Sequence, residues 1–384
     1  MNEILFEVTE DNLETGLRGI PVGYCTTSHV DPHEGLFYRG VKVEKLTRLS
    51  PEEVMHFLFE GSLDDKSKVA SFAASLADLS EPDGHVLALI EKFPKNVHPM
   101  KQFSSALLML SAGKERLDYR EQALEIIAKL PKIVSSIINV GEGWKNKRDY
   151  DPSLGYIENF VAMLGIPTED RTSLLDIMKL FHILHMDHGG GNLSTFVGKA
   201  VASGLEDMYG SIASAMCALE GPRHGRANQD CLHFVEEAAA AVGERPSPEE
   251  VEHFVRERLR AGGLIFGFGH AVLRVEDPRA TIFYHYAEKN FPDHPLARMG
   301  LLLREAGIKV LKENPKVQDP YPNVDAISGV CLSLSGFDFP RYFTLLFGMS
   351  RLVGIARQIV YERLEAREGK GLPIVRPKYI YRPG

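Results

Sequence analysis

The sequence predicts an all-α fold with a minor hairpin decoration near its start. Three observations predict it: repeated helix-start devices, apolar residues recurring at helical spacing, and the lack of any alternation of strands with helices. The first 45 residues are the exception. There, Ile20-Pro21-Val22-Gly23-Tyr24 and the stretch from Leu36 to Val43 alternate in character and are broken by glycine, so both read as small hairpins. Helices follow. Ser50-Pro51-Glu52-Glu53 is a capping box: the serine hydroxyl can take the third amide, Pro51 suits the first helical position, and Glu53 can reach back. From about Thr168 to Leu184 the chain is apolar around much of a helical surface, which predicts a central helix ending at His185-Met186-Asp187-His188-Gly189-Gly190-Gly191. Tyr209 to Leu219 is rich in small residues that let backbones approach closely, and it reads as another buried helix. Ser247-Pro248-Glu249-Glu250 repeats the capping box, followed by Val251, Phe254, Val255 and Leu259 at helical spacing and Gly262-Gly263 as a stop.

At 384 residues the chain exceeds one simple core, and domain sizes suggest two domains. Its 44% apolar, 25% charged and 9% aromatic residues are those of an ordinary globular protein. A formal charge of -8 argues against a general nucleic-acid binder, which needs a basic face. An anionic substrate would therefore need a local basic pocket. No apolar run approaches the roughly 20 residues that cross a bilayer, and the start lacks a basic, hydrophobic signal segment, so no membrane partner and a cytoplasmic location are expected. Cys25, Cys217, Cys231 and Cys331 form no C-x-x-C pair and read as buried free thiols.

Four glycine-rich turns between apolar segments carry ionisable residues, which is where a packed scaffold presents a reactive site. His185 to Asn192 combines two histidines with three glycines; its bland reading is a helix C-cap with histidines favoured by the helix dipole. Gly221-Pro222-Arg223-His224-Gly225-Arg226 can project a ring from a tight turn near positive charge, or can be an exposed connection. Gly267-Phe268-Gly269-His270, with Arg274 and Asp277-Pro278-Arg279 beyond, resembles the start of a dinucleotide fingerprint, but position 272 is valine and no strand precedes it. Phosphate or carboxylate binding suits it better, because backbone amides and guanidinium forks match anionic oxygens. In Tyr321 to Gly329, Asp325 sits among apolar and small residues, where a helix N-cap is the commoner role than a base.

Together these segments, in this order, resemble the citrate synthase family, and closest its branch that includes the mitochondrial enzymes. Asp31 to Gly35, Asn96 to Met100, Lys129 to Pro131 and Leu346 to Arg351 also resemble family segments, so the likeness covers nearly the whole chain. The resemblance implies a two-domain helical fold, with a large domain of residues 1–225 and 337–384 and a small one of 226–336, closing over the substrates. It implies an acyltransferase that condenses acetyl-CoA with oxaloacetate through an enol, with no cofactor and no metal, acetyl-CoA being a substrate.

By motif match, Asp325 is the base, His224 polarises the thioester and His270 polarises the ketone. The oxaloacetate clamp is His188, His270, Arg279, Arg351 and Arg376, the last contributed by the second subunit of a homodimer with shared sites. The CoA side is Leu264, Ile265, Phe266, Gly267, Phe268, Gly269, Arg274 and Lys316. Met186, Gly189, Arg223, Phe266 and Gln318 depart from the usual family residues. Two alternatives remain at this point: a 2-methylcitrate synthase using propionyl-CoA, since one methylene shifts discrimination by only about 1 to 3 kcal/mol, and a metal-dependent hydrolase using His185, Asp187 and His188, which lacks an H-E-x-x-H pattern.

Overall fold

The computed structural model describes residues 4–113, 118–145 and 147–383. Near the start, β1 (Ser28–Asp31), β2 (Gly35–Tyr38) and β3 (Val41–Lys42) form one antiparallel sheet in that order, with Ser28 opposite Tyr38 and Phe37 opposite Lys42. The second predicted hairpin segment thus holds β2 and β3. Residues 20–24 form no strand, because no neighbouring chain offers them a ladder.

The remaining regular elements among the described residues are helices. The order is α1 (Val43–Leu46), α2 (Pro51–Glu60), α3 (Lys66–Asp78), α4 (Gly84–Lys92), α5 (Pro99–Met109), α6 (Tyr119–Glu142), α7 (Tyr156–Met163) and α8 (Arg171–His185). Then come α9 (Leu193–Ser203), α10 (Met208–Leu219), α11 (Ala227–Val242), α12 (Pro248–Arg260), α13 (Pro278–Asn290), α14 (Pro295–Lys312), α15 (Asp325–Leu334) and α16 (Phe343–Val360). Both predicted capping boxes form: Ser50 takes the amide of Glu53 and Ser247 that of Glu250, and each glutamate returns to the serine amide at 2.7 Å. Such caps satisfy amides that the first helical turn leaves without partners, each contributing about 1 kcal/mol.

The core is built around α16, which is buried on every side and packs against α6, α8, α9 and α10. Extended by short helical turns to 340–365, it is long and apolar enough to cross a membrane, which corrects the expectation that no such run exists; here it is an interior helix. Helices α11 to α15 pack chiefly on one another, while α15 also touches α8 and α13 touches α1. All four cysteines are free, but only Cys231 and Cys331 are buried; Cys217 is exposed and Cys25 half-buried.

Candidate active site

Helix α8 delivers the first histidines. His185 is fully buried, stacked on Phe181 with ring centroids 4.0 Å apart, and its Nδ1 lies 2.8 Å from the Phe181 carbonyl, so it faces the core. His188, on the loop beyond, points the other way. Its ring meets that of His270 at 5.2 Å, and its buried Nε2 has no hydrogen-bond partner among the described residues. Burial, aided by Arg279 and Arg351, holds His188 neutral, well below the usual histidine range.

The turn bearing His270 and the start of α15 bearing Asp325 form one unit. Gly269 N–H donates to Tyr321 O at 2.9 Å, Asn323 N–H to Gly267 O at 2.8 Å, and Asn323 Nδ2 to Gly269 O at 3.0 Å. The Asn323 side-chain oxygen also takes the amide of Asp325 at 3.0 Å, so Asn323 does the capping work and Asp325 does not. Glycine is required at 267: φ is +79°, and a Cβ would lie 2.6 Å from Cα of Ala326, beside Asp325.

Two tautomers follow from the hydrogen bonds. His270 Nδ1 accepts the amides of Val272 at 3.0 Å and Leu273 at 2.9 Å, so the ring proton sits on Nε2. His224, in the turn after α10, takes the Ser194 amide at 3.2 Å on Nε2, with the Ser194 hydroxyl 2.9 Å away, so its proton sits on Nδ1. Burial lowers both histidines to about 4, with Arg351 adding to the effect at His224 and Arg279 at His270. At neutral pH both are uncharged hydrogen-bond donors.

The arginines differ. Arg279 is buried and gripped by the equally buried Asp277, Nε to Oδ1 at 3.0 Å and Nη2 to Oδ2 at 2.6 Å. Arg351 is buried too, yet donates only Nε to His185 O, at 3.0 Å, and lies over the Phe347 ring. Burial and the charge of Arg279 pull Arg351 down to about 10, marking a cation without a directly bonded counter-ion. Asp325 feels both: burial pushes its carboxyl up to about 6, Asp277 adds to this, and Arg279 and Arg351 oppose it. Its carboxyl oxygens have no hydrogen bond from any described residue.

His188, His224, His270, Arg279, Asp325 and Arg351 therefore share one electrostatic neighbourhood. Arg376 is not among them; it is exposed in the extended tail, where the neighbouring Val375 N–H donates to Ser203 Oγ at 2.9 Å. On the intended CoA side, Leu264 and Lys316 are exposed, Phe266 packs on Phe234 and Arg258, and Arg274 turns its Nη1 onto the carbonyls of His270, Val272 and Leu273. Phe268 pairs with Pro322, and its ring lies where a Cβ on Gly307 would stand. Ile265 packs on the core edge. Of the departures, Met186 is fully buried while Arg223 and Gln318 are exposed. Sequence reasoning gave no role to Asp277, Ser194 or Asn323. The D-P-R start of α13 and the Asn323-x-Asp325 spacing were the available signals, whereas Ser194 gave none, because its histidine is 30 residues away.

Among the described residues no three His, Cys, Asp or Glu side chains are grouped to hold a metal, and His185 is turned into the core. A free carboxylate that feels two guanidiniums, each of which also acts on a neutral histidine donor, suits carbanion formation next to an anionic acceptor, and the class is an enzyme that transfers an acyl group. A family model described as citrate synthase, C-terminal domain, matches residues 16–378, and the chain belongs to the citrate synthase family. It is 35% identical over 402 residues to the mitochondrial citrate synthase of Daucus carota, covering 98% of this chain and 83% of that one. It is 33% identical to the mitochondrial 2-methylcitrate synthase of Yarrowia lipolytica, covering 98% and 85%. Among solved structures, the citrate synthase of Thermotoga maritima superposes with a TM-score of 0.81 at 30% identity, over 97% of this chain and 96% of that one. That of Thermoplasma acidophilum, a ternary complex with carboxymethyl coenzyme A and oxaloacetate, gives 0.81 at 25% identity, over 96% of each.

The activity is that of a citrate synthase, joining the acetyl group of acetyl-CoA to oxaloacetate. One expectation is corrected: similar curated proteins are named mitochondrial, and one from Saccharomyces cerevisiae peroxisomal, so the cytoplasmic location drawn from the sequence is not supported.

Proposed function

We propose that Asp325 removes the methyl proton of acetyl-CoA, His224 donates its Nδ1–H to the thioester oxygen, and His270 donates its Nε2–H to the ketone of oxaloacetate. The enol carbon then attacks the ketone carbon, and water hydrolyses the thioester to release citrate and CoA. A carboxylate deprotonates so weak an acid only where the developing oxyanion meets fixed donors in a water-poor site. The observation that carries this reading is the unpaired carboxyl of Asp325, raised to about 6 yet ionised at neutral pH, beside Arg279 and Arg351.

Oxaloacetate is a dianion, and Arg351 with the free edge of Arg279 supplies its clamp, with His188 Nε2 as a further donor. Residues 264–269, Arg274 and Lys316 form the CoA side; Lys316 and Leu264 are open to solvent, as a large incoming cofactor-like substrate needs. Residues 226–336 act as the small domain and close on 1–225 and 337–384. No cofactor takes part in these steps.

The working form is a homodimer in which Arg376 completes the clamp of the second subunit. Two features support this. Arg376 lies away from its own site, and the terminal segments expose Ile4, Leu5, Tyr379, Ile380 and Tyr381, while Arg382 links them to Glu10 and Glu14. Apolar surface of that kind calls for a covering partner.

The acyl group is acetyl in preference to propionyl. Release of free CoA thiol from each thioester, with oxaloacetate, tests both the reaction and the preference. A higher kcat/KM for acetyl-CoA is expected, and the reverse order would favour the activity of the Yarrowia lipolytica relative.

A further inference from the structure

Asp187 is the one buried carboxylate of the histidine loop that the reaction above leaves unused. It is completely inaccessible to solvent. Its Oδ1 accepts the His188 amide at 2.8 Å and Gln358 Nε2 at 2.9 Å, and its Oδ2 accepts the Thr27 hydroxyl. The Ser28 hydroxyl also bonds this carboxyl, and that same hydroxyl accepts the Gly189 amide at 2.7 Å. Each of these four groups can donate to the carboxyl. That arrangement favours the ionised form, against the burial that raises the carboxyl's pKa, and the charge of Arg351 acts in the same direction as the donors.

Helix α16 is shaped around it. Gly354 donates its amide to Met186 O at 3.0 Å, and a Cβ on Gly354 would lie 2.5 Å from Cγ of Asp187. Arg351 and Gln358 flank this bare patch at three residues before and four after, on the same helical face. The substrate-facing arginine and the support for the histidine loop are thus set by one contact between α16 and the loop.

We propose that Asp187 is a positioning residue for the oxaloacetate site: its carboxylate locks the His188-Gly189 backbone to β1 and α16, so that His188 Nε2 and Arg351 are held where the dicarboxylate enters. The effect is geometric. Removing the negative charge alone would raise the local positive potential and favour an anion, so the two possibilities predict opposite signs. The inference rests on the assignment of His188 and Arg351 to oxaloacetate.

The test uses Asp187→Ala, Asp187→Asn, Thr27→Val and, for the assignment beneath it, Arg351→Ala. The KM values for oxaloacetate and for acetyl-CoA are measured separately, each with the other substrate saturating, and oxaloacetate affinity is checked by calorimetry. Asp187→Ala is expected to raise the oxaloacetate KM tenfold or more and leave that for acetyl-CoA within twofold. Asp187→Asn, which keeps an oxygen for the His188 amide and Gln358 while the hydroxyls rotate to accept, recovers most of the affinity. Thr27→Val, which keeps volume and charge, raises the oxaloacetate KM about threefold and provides the answer if the alanine variant does not fold. A merely structural role would lower thermal stability and the active fraction with both KM values unchanged. That outcome, or oxaloacetate binding as tight as wild type in Asp187→Ala, or in Thr27→Val where the alanine variant does not fold, overturns the proposal. If Arg351→Ala also leaves oxaloacetate binding intact, the assignment itself is wrong; if Arg351→Ala abolishes binding while the others do not alter it, only the role of Asp187 falls.

Discussion

Replacing Asp325 by asparagine should make the protein more stable and nearly inactive at once. The carboxyl is raised from its ordinary 3.8 to about 6, chiefly by burial. Each unit corresponds to about 1.4 kcal/mol, so two units cost the folded state on the order of 3 kcal/mol when the group is ionised. Because the residue keeps a partial opening to solvent, screening reduces this to about 2 kcal/mol. The sign follows from the raised value: below 3.8 the group is neutral in both states and costs nothing, and the full cost is present above about 6. Asparagine has the same shape and never ionises. Thermal unfolding of wild type and Asp325→Asn at pH 7.5 should therefore show the variant melting higher, with the gap shrinking as the pH falls toward 4. In the same preparations, release of CoA thiol should drop about a thousandfold, the usual contribution of a positioned base, while calorimetry still detects oxaloacetate. A variant that melts no higher, or that keeps more than a tenth of the turnover, would refute the reasoning.

Other perturbations probe the remaining parts. The kcat/KM for acetyl-CoA should rise with pH through about 6 and then level, because Asp325 acts ionised and both histidines, near 4, are already neutral; a flat profile between pH 5 and 7 would contradict this. Ser194→Ala removes the hydroxyl beside His224 Nε2 but keeps the amide, so kcat should fall about tenfold with the oxaloacetate KM little changed. Gly267→Ala drives a Cβ into the backbone of Ala326 and strains a positive φ, so turnover should collapse more than stability does, as read by thiol release and thermal unfolding. Mixing inactive Arg351→Ala and Arg376→Ala subunits should restore activity in hybrid dimers if Arg376 crosses between subunits, and exchanged subunits that stay inactive would end that model.

Much of this was legible because its causes are local. The capping boxes at Ser50 and Ser247, and the apolar stretch that became α8, rest on neighbours three or four residues apart, and each formed within a few residues of its expected place. The candidate site residues were named by resemblance, and Arg279 and Arg351 between them act on His188, His224, His270 and Asp325. What remained hidden depends on long-range partners. Residues 20–24 alternate like a strand but meet no edge. The Thr27 hydroxyl reaches Asp187 across 160 positions, and Gln358 reaches it across 171. The tautomers of His224 and His270 depend on which amides happen to face each ring, and no spacing rule encodes that. Taken singly, Asp325 offered a helix cap as its commoner role, yet Asn323 takes that role and leaves the carboxyl free.

The most direct test is structural: the enzyme bound to oxaloacetate together with a thioether analogue of acetyl-CoA. The dicarboxylate should lie between Arg279 and Arg351 with its ketone oxygen within about 3.2 Å of His270 Nε2, and the analogue should end between His224 Nδ1 and the Asp325 carboxylate. A complex in which the dicarboxylate binds elsewhere, or in which Asp325 faces away from the analogue, would contradict the assignment.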